Sequence, residues 1–209
     1  MRIITGSARG IALDAPEGME TRPTTDRVKE ALFSMIQFDI EGRRVLDLFA
    51  GSGQLGLEAL SRGAASATFI DSSRQAQDVI LKNAAKTKLK ERATVALYDF
   101  STFLEGRRSD EKFDIIFLDP PYGSGHMTTA LRLIASSGVL REGGYIACET
   151  DTEIEERRRG KKKSERDDAS DVLCDVFGGD EELSSRFELI RSARYGRSRI
   201  TLLTIPKGV

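Results

Sequence analysis

The chain contains 209 residues, of which 39% are apolar, and it carries a formal net charge of −1. This length supports one sizeable hydrophobic core, so we expect one main globular domain. A net charge near zero excludes a protein that binds nucleic acid through its overall charge, so an RNA or DNA partner would need a local basic patch.

The residue counts also exclude several kinds of site. Cys148 and Cys174 lie far apart, which excludes a disulfide scaffold and favours a reducing compartment. The chain has a single histidine, which disfavours zinc coordination, and we predict no metal site. No apolar signal core opens the chain, and no run approaches the roughly 18 apolar residues of a membrane span, so we expect a soluble cytoplasmic protein.

Taken in chain order, the hydrophobic pattern alternates between strand-like runs and helical repeats. The segment TTDRVKEALFSMI opens with a capping signal and repeats apolar residues at helical spacing, which predicts a first helix. Strands are predicted at residues 44–49, 66–71, 93–98, 113–118, 144–149, 186–191 and 199–205. Helical patterns separate most of the first five strands, which is typical of βαβ units, and a hairpin turn is predicted near Gly196 between the last two.

The first predicted strand leads into a glycine-rich loop, GSGQLG. Gly51, Gly53 and Gly56 have the G-x-G-x-x-G spacing between a strand and a helix, where a ligand can approach the backbone and meet free helix N–H groups. Asp71 ends the second strand 20 residues after Gly51, where a carboxylate can bind both hydroxyls of a ribose. These features predict a nucleoside ligand.

Two further acids narrow the choice of ligand. Asp47 lies at the end of the first strand, where it would repel a pyrophosphate but suit an amino group, which favours S-adenosylmethionine over a dinucleotide. Asp99 ends the third strand, where it can reach an adenine amino group with Phe100 near the ring, although a helix N-cap explains Asp99 equally well. Ser52 and Ser72 are also assigned to the predicted cofactor site.

The fourth predicted strand ends in the sequence FDIIFLDPPYGSG. Pro120 and Pro121 fix φ and remove two backbone donors, so the carbonyls around them have no partner in the sheet. Asp119 and Tyr122 add a carboxylate and an aromatic ring at the same edge as the glycine loop, where open α/β sheets bind ligands. We therefore predict that residues 119–122 bind a ligand through acceptor groups, with a merely rigid loop as the alternative.

The pattern changes after Glu149. Of the 16 residues at 153–168, 13 are charged, and the run RRRGKKK lies among them. Such a segment cannot bury enough apolar surface to offset its ordering entropy, so we predict a charged, mobile insertion at about 151–180. Deleting residues 155–168 should then leave folding and cofactor binding intact.

Two stretches are basic although the whole chain is nearly neutral. Residues 1–13 contain two arginines and no acid. The segment RSARYGRSR contains four arginines and no acid. These local patches predict contacts with RNA phosphates and unpaired bases, with ordinary solvated arginines as the alternative. The predicted RNA-binding residues are Arg2, Arg9, Arg194, Tyr195, Arg197 and Arg199.

Four segments carry a resemblance to a known family: RPTTDRVKEALF, DLFAGSGQLGLEALSRGA, FDIIFLDPPY and RYGRSRITLL. In this order they resemble the RsmD family of 16S rRNA guanine-N2 methyltransferases. The resemblance implies an α/β, Rossmann-like S-adenosylmethionine-dependent methyltransferase fold, with a mostly parallel seven-stranded sheet, a terminal antiparallel hairpin and helices on both faces. It also implies S-adenosyl-L-methionine as the methyl donor and the exocyclic N2 amine of a guanine in 16S rRNA as the acceptor.

The resemblance further implies catalytic roles for four residues. Asp119 and the carbonyl of Pro120 would hold the hydrogens of the acceptor amine, which favours the pyramidal geometry needed for attack. Pro121 would help to hold these acceptors in place, and Tyr122 would stack on the base. The chain departs from the family pattern in its longer charged insertion and at Gln54, where a smaller residue is more usual.

Domain organisation and partners are also implied by the resemblance. Residues 1–22 would form an RNA-contacting hairpin and extension beside a methyltransferase domain at 23–209. Arg22, Thr24 and Thr25 would lie near the cofactor. The partner would be 16S rRNA within an assembling small ribosomal subunit. The protein would act as a monomer and would not bind a membrane.

Other functions remain compatible with the same motifs. An adenine-N6 DNA methyltransferase or a glutamine-N5 protein methyltransferase also presents a planar amine or amide to such a box, but the usual extra substrate domain is not evident in the sequence. A non-catalytic RNA-binding assembly factor is the third possibility. Loss of Asp119 or of the loop glycines would favour that factor, and all of them are present.

Overall fold

The computed structural model describes residues 1–17, 26–106, 111–154 and 169–206. Their strands form one seven-stranded sheet in the order β3-β2-β1-β4-β5-β7-β6. The first five are parallel to one another, and β7 runs antiparallel between β5 and β6. The strand bounds are β1 Arg44–Asp47, β2 Ser66–Asp71, β3 Ala93–Leu97, β4 Phe113–Leu118, β5 Leu140–Asp151, β6 Glu188–Tyr195 and β7 Ser198–Thr204. The predicted Rossmann-like sheet with a terminal antiparallel hairpin is confirmed.

Helices cover both faces of this sheet. Their bounds are α1 Asp26–Met35, α2 Gln54–Ser61, α3 Arg74–Lys86, α4 Phe100–Glu105, α5 His126–Ser137, α6 Ala169–Phe177 and α7 Glu181–Ser184. One core cluster contains apolar residues of α1, α2 and α3, and the other contains those of α4 to α7. Val45 and Leu46 of β1 belong to different clusters, as expected when successive side chains of a strand point to opposite faces. No helix in the described ranges is long and apolar enough to cross a lipid bilayer.

The sheet contains one point at which its strand order reverses. β1 lies between β2 and β4, so the chain moves toward one edge of the sheet after β1 and toward the other edge after β4. In open α/β sheets the loops that follow two such strands diverge and leave a crevice at the carboxyl ends of the strands. The glycine loop follows β1 and the Asp-Pro-Pro-Tyr box follows β4, so the topology brings both motifs to this crevice.

The described N-terminal residues share the main core. Arg2 and Ala12 form an antiparallel bridge, and the side chains of Ile3 and Leu13 are buried in the cluster that contains α2. Glu58 of α2 is fully buried and accepts the backbone N–H of Ile4 at 2.7 Å. The described N-terminal residues are therefore packed against α2 and share its core cluster.

The described residues on either side of the predicted insertion at about 151–180 form regular structure. β5 extends to Asp151, and α6 occupies residues 169–177 with Val172 and Val176 buried, so the end of the predicted range contains a packed helix. Asp175 of this helix accepts a 2.8 Å ion-paired hydrogen bond from Arg199 of β7. Residues 155–168, to which the deletion prediction applies, lie outside the described residues.

Candidate active site

A cavity of about 510 Å³ opens at the carboxyl ends of the parallel strands. Its walls come from the ends of β1, β2, β3, β4 and β5 and from the turn between β6 and β7. The predicted residues that it brings together are Asp47, Gly51, Ser52, Asp71, Ser72, Asp99, Phe100, Asp119, Pro120, Pro121, Tyr122 and Arg197. Two motifs separated by nearly 70 residues of sequence therefore line one cavity.

The glycine loop is shaped by backbone and packing requirements. Gly53 is the N-cap of α2 and has a φ of 78°, a conformation that glycine adopts without strain. Gly56 lies inside α2, where an added Cβ would approach the ring of Phe69 to 2.3 Å. Its N–H donates to the Asp47 carboxylate at 3.0 Å. Gly53 and Gly56 therefore determine the shape of the loop without lining the cavity themselves. The helix N–H of Gly56 is not free for a ligand, because it donates to Asp47.

Asp47 is a buried acid at the floor of the cavity. Only 2% of the residue is exposed. Burial raises the pKa of its carboxyl group to about 7, and the charge of Asp71 acts in the same direction, while the hydrogen bond from Gly56 opposes the shift. A cationic group of a ligand would favour the charged form of this carboxylate, which is consistent with the amino-group partner predicted from the sequence.

Asp71 is oriented by backbone donors on both of its oxygens. Oδ2 accepts the Gly51 N–H at 2.8 Å, and Oδ1 accepts the Ser73 N–H at 2.9 Å. Each carboxylate oxygen has two lone pairs, so both can also accept a hydroxyl proton from a ligand. Asp71 and its neighbour Ser72 line the cavity, which fits the predicted ribose site.

Asp99 is a helix N-cap and also lines the cavity. It is the N-cap of α4, and its Oδ1 accepts the Ser101 N–H at 2.9 Å; the hydrogen bond from the Ser101 side chain contributes most to lowering the Asp99 pKa. It also lines the cavity beside Phe100. Phe100 packs against Phe49 at 4.9 Å between ring centroids and against His126 at 5.1 Å, which forms an aromatic wall suited to a purine ring. His126 is the first residue of α5.

A buried asparagine that the sequence pattern did not reveal links two segments on the cofactor side of the cavity. Asn83 of α3 is fully buried, and its side chain donates to the carbonyls of Asp14 and Ser52 at 2.9 Å each and accepts the Asp14 N–H at 2.9 Å. Asn83 thereby ties the N-terminal segment to the glycine loop. Pro16, two residues beyond Asp14, lines the cavity. Arg22, Thr24 and Thr25, which were predicted near this side, lie outside the described residues.

The Asp-Pro-Pro-Tyr box forms the opposite wall. Asp119 and Tyr122 both line the cavity, and the Tyr122 hydroxyl donates to Glu149 Oε1 at 3.4 Å. The same oxygen accepts the Ser198 hydroxyl at 3.0 Å. Burial and the nearby charges of Asp119 and Glu149 raise the Tyr122 pKa, so the phenol stays protonated and acts as a donor. Glu149 and Ser198 were not predicted, because their link to Tyr122 depends on strand neighbours far apart in the sequence.

The predicted RNA-binding residues divide into different environments. Arg2 and Arg9 are exposed, and the Arg2 side chain pairs with Asp26 at 3.1 Å. Tyr195 is half-buried against the core. Arg199 is only 1% exposed, so its assignment as an RNA contact is wrong. Its guanidinium instead pairs with Asp175 inside the protein.

The two remaining arginines among the predicted RNA-binding residues of the hairpin are both partly exposed. Arg194 lies near the turn, and its Nε donates to the Gly196 carbonyl at 3.0 Å. The Arg197 side chain is 42% exposed and lines the cavity beside Tyr122. Of the four arginines in the predicted basic hairpin, Arg197 is thus the one at the candidate active site.

The fold and the cavity together define a class of protein. A mostly parallel seven-stranded sheet carries a glycine loop with a carboxylate at the next strand end, and both face an Asp-Pro-Pro-Tyr box across the switch point. This arrangement is that of a methyltransferase with a Rossmann-like fold.

Comparisons with known proteins extend this assignment. The family model described as conserved hypothetical protein 95 matches residues 1–174. A Bacillus subtilis (strain 168) protein, YlbH, provisionally named an rRNA methyltransferase, is 44% identical over 156 residues, covering 74% of this chain and 85% of YlbH. Ribosomal RNA small subunit methyltransferase D of Escherichia coli (strain K12) is 39% identical over 153 residues, covering 73% of this chain and 76% of that protein. The solved structure of Escherichia coli yhhF, provisionally described as a methyltransferase, superposes with a TM-score of 0.74 at 31% identity and covers 98% of this chain and 97% of yhhF.

The chain therefore belongs to the family of conserved hypothetical protein 95, the RsmD family that its motifs resemble. The predicted cofactor, S-adenosylmethionine, is confirmed at the level of this family and fold. The site also fits that molecule, because a buried acid with a raised pKa, a carboxylate at a strand end and an aromatic wall lie along one cavity.

Proposed function

We propose that the protein methylates the exocyclic N2 amine of a guanine in 16S rRNA, using S-adenosylmethionine, in the cytoplasm. The observation that carries this proposal is that the cofactor loop and the Asp-Pro-Pro-Tyr box line one cavity. The family supports rRNA as the substrate, because a relative of this chain is named ribosomal RNA small subunit methyltransferase D. We further propose that the protein acts as a monomer on an assembling small subunit.

The cofactor would be held by the acids and rings at the ends of β1, β2 and β3. Asp71, which lines the cavity, would accept the ribose hydroxyls, and Asp47 would face the amino group. Asp99 and Phe100 border the part of the cavity that would hold the adenine. When bound, S-adenosylmethionine would supply a methyl group already activated by its sulfonium, with the N–C bond forming as the C–S bond breaks and S-adenosylhomocysteine as the leaving product.

The acceptor amine needs positioning because its lone pair is delocalised into the purine ring. The Asp119 carboxylate and the Pro120 carbonyl would accept its two hydrogens, which favours a pyramidal nitrogen with its lone pair directed at the methyl carbon. Tyr122 would stack on the base, with its ring oriented by the hydrogen bond to Glu149. Because the Tyr122 pKa is raised, this phenol is unsuited to be the base. The proton released from N2 would pass to Asp119 or to water.

RNA binding would use the accessible arginines. Arg2, Arg9 and Arg194, which are at least partly exposed, would neutralise phosphates, and Arg197 lines the cavity. A guanine inside a perfect duplex cannot reach Tyr122 without leaving its stack, so we expect an unpaired or loosely stacked guanine to react best.

Methyl incorporation into defined substrates tests this function. The protein would be incubated with labelled S-adenosylmethionine and, in parallel, with small ribosomal subunits, bare 16S rRNA, duplex DNA and total protein. We expect label in RNA, and N2-methylguanine after digestion to nucleosides and mass spectrometry. Methyladenine, methylglutamine or a complete absence of transfer would contradict the proposal, and a catalytically impaired Asp119→Asn variant provides the background.

A further inference from the structure

The turn between β6 and β7 is fixed against the end of β5. The carbonyl of Arg197 accepts two hydrogen bonds from Thr152, one from its backbone N–H at 2.8 Å and one from its hydroxyl at 3.0 Å. Asp151 pairs with Ser198 in the β5–β7 ladder. The backbone of Arg197 is thereby held at the strand end, and its side chain enters the cavity from a defined position.

The Arg197 guanidinium forms an ion pair with a buried acid of the same cavity. Its Nη2 lies 2.9 Å from Asp151 Oδ2, and its Nε lies 3.1 Å from Glu153 Oε2. Asp151 is only 4% exposed yet lines the cavity, and its Oδ1 accepts the backbone N–H groups of Glu153 and Ile154. These bonds orient the carboxylate so that Oδ2 faces the guanidinium.

Both members of the pair retain hydrogen-bonding capacity beyond these contacts. A guanidinium has five N–H donors, and a carboxylate oxygen has two lone pairs. The Arg197 Nε is buried without a well-aligned hydrogen-bond acceptor, although Glu153 is close by. The cavity wall beside Tyr122 thus presents a hydrogen-bond donor and an acceptor side by side. A wall that contacted only an apolar part of a ligand would need neither.

This pattern complements one edge of guanine. Along its Watson–Crick edge guanine carries the N2 amine, then the N1–H donor, then the O6 acceptor. Adenine has an N1 acceptor in the middle of that edge, which would face a carboxylate unfavourably. A carboxylate that accepts from N1 and an arginine that donates to O6 would therefore distinguish the two purines, since arginine is a frequent partner of guanine O6.

We propose that Arg197 and Asp151 form a specificity pair that reads the O6 and N1–H groups of the target guanine. This inference rests on the proposed function and adds to it the residues that select the base. The order of the strand ends supports it: Asp119 follows β4, Asp151 ends β5, and Arg197 precedes β7, and these three strands are neighbours in the sheet at about 4.8 Å spacing. A guanine whose N2 amine lies at Asp119 would therefore have its N1–H near Asp151 and its O6 near Arg197.

A structural brace between β5 and β7 is the competing explanation of the same ion pair. A brace predicts that its loss lowers stability and slows methylation of every acceptor equally. A specificity pair predicts a selective loss for acceptors that present O6 and N1–H. The distinguishing quantity is the ratio of kcat/KM values for two bases that both carry the N2 amine.

The experiment compares RNA oligonucleotides whose target position holds guanosine or 2-aminopurine, which keeps the amine but lacks O6 and the N1–H. Wild-type protein should prefer guanosine by roughly 10- to 100-fold. Asp151→Asn and Arg197→Gln should reduce that preference to within about threefold, mainly by lowering kcat/KM for methylation of guanosine. Arg197→Lys keeps the charge without the planar fork and should restore only part of the preference.

Glu153→Gln is the matched control, because Glu153 touches the same guanidinium but does not line the cavity. It should keep the wild-type preference. Thermal melting and S-adenosylmethionine affinity of each variant report folding independently of the base. An unchanged preference in both Asp151→Asn and Arg197→Gln, or no preference in the wild-type protein, would overturn the inference while N2-methylguanine remained the product. A product other than N2-methylguanine would instead refute the proposed function.

Discussion

The two ends of the cavity are built by different means. At the cofactor end, acids at strand ends accept backbone N–H groups from nearby in the sequence, Asp47 from Gly56 of α2 and Asp71 from Gly51 of the glycine loop. At the acceptor end, side chains bind side chains across strands, as Tyr122 binds Glu149 and Asp151 binds Arg197. The first end is therefore encoded within short segments of sequence, whereas the second requires the whole sheet to assemble.

This difference predicts separate responses to mutation. Changes at the cofactor end should alter affinity for S-adenosylmethionine, and changes at the acceptor end should alter turnover with little effect on that affinity. Four substitutions test this separation, from the largest expected effect to the smallest.

Replacing Asp119 should have the largest effect on turnover. Asp119→Ala removes an acceptor that would organise the amine only as it approaches the transition state, so kcat should fall by roughly 10²–10³-fold. Calorimetric affinity for S-adenosylmethionine should remain within about twofold, because Asp119 serves the acceptor. Turnover at the wild-type rate in the Asp119→Ala variant would refute the role of the box.

Replacing Asp71 should have the largest effect on cofactor binding. Asp71→Ala should weaken S-adenosylmethionine binding by about 1–3 kcal/mol, the usual cost of losing a hydrogen bond to a charged group. The kcat at saturating cofactor should change far less than the dissociation constant. Equal affinity of wild-type and variant protein in calorimetry would remove Asp71 from the site.

Asn83 tests whether the cofactor end depends on the N-terminal segment. Asn83→Leu removes three hydrogen bonds of 2.9 Å, two to backbone groups of the part-buried Asp14 and one to the buried carbonyl of Ser52. We expect unfolding free energy to fall by about 1–3 kcal/mol, with weaker cofactor binding. Lys82→Ala is the control, because Lys82 is exposed and pairs with the same Asp14 from the surface. Similar cofactor affinities in the two variants would show that Asn83 stabilises the fold without organising the site.

The sequence predicted the regular part of the fold because strand and helix periodicity are local. It indicated α4 only through the possible N-cap at Asp99, because six residues are too few to show a period. It missed α6, because the charged composition of residues 153–168 was extended to about residue 180 and concealed a helix with Val172 and Val176 buried.

The same limit applies to the candidate site. Asp47, Asp71 and Asp119 could be found because each follows an apolar run at a strand end. Arg199 was misassigned, since an arginine near a turn gives no sign that Asp175, 24 residues earlier, will bury it. Glu149 and Asp151 escaped notice for a related reason: their partners Tyr122 and Arg197 come close to them only when neighbouring strands assemble in the folded sheet.

The smallest expected effect is the release of a proton from Asp47 when the cofactor binds. Burial raises the pKa of Asp47 to about 7, so near pH 7 a substantial fraction of the free protein holds a proton there. The unfolded chain releases that proton near its ordinary pKa, so Asp47 should lower stability progressively as pH rises from about 4 to about 7. A ligand ammonium beside Asp47 favours the charged form, so cofactor binding at pH 7 should release a fraction of a proton and tighten as pH rises toward 8.

Calorimetry in two buffers of different ionisation enthalpy measures this proton release directly. Asp47→Asn should abolish it, because an amide has no proton to lose in this range. Asp99→Asn is the control: hydrogen bonds from Ser101 keep the Asp99 pKa below its ordinary value, so this carboxylate is already charged at pH 7, and its loss should weaken binding without changing the proton count. Proton release of wild-type size in the Asp47→Asn variant would place the titrating group elsewhere and would separate Asp47 from the ligand's amino group.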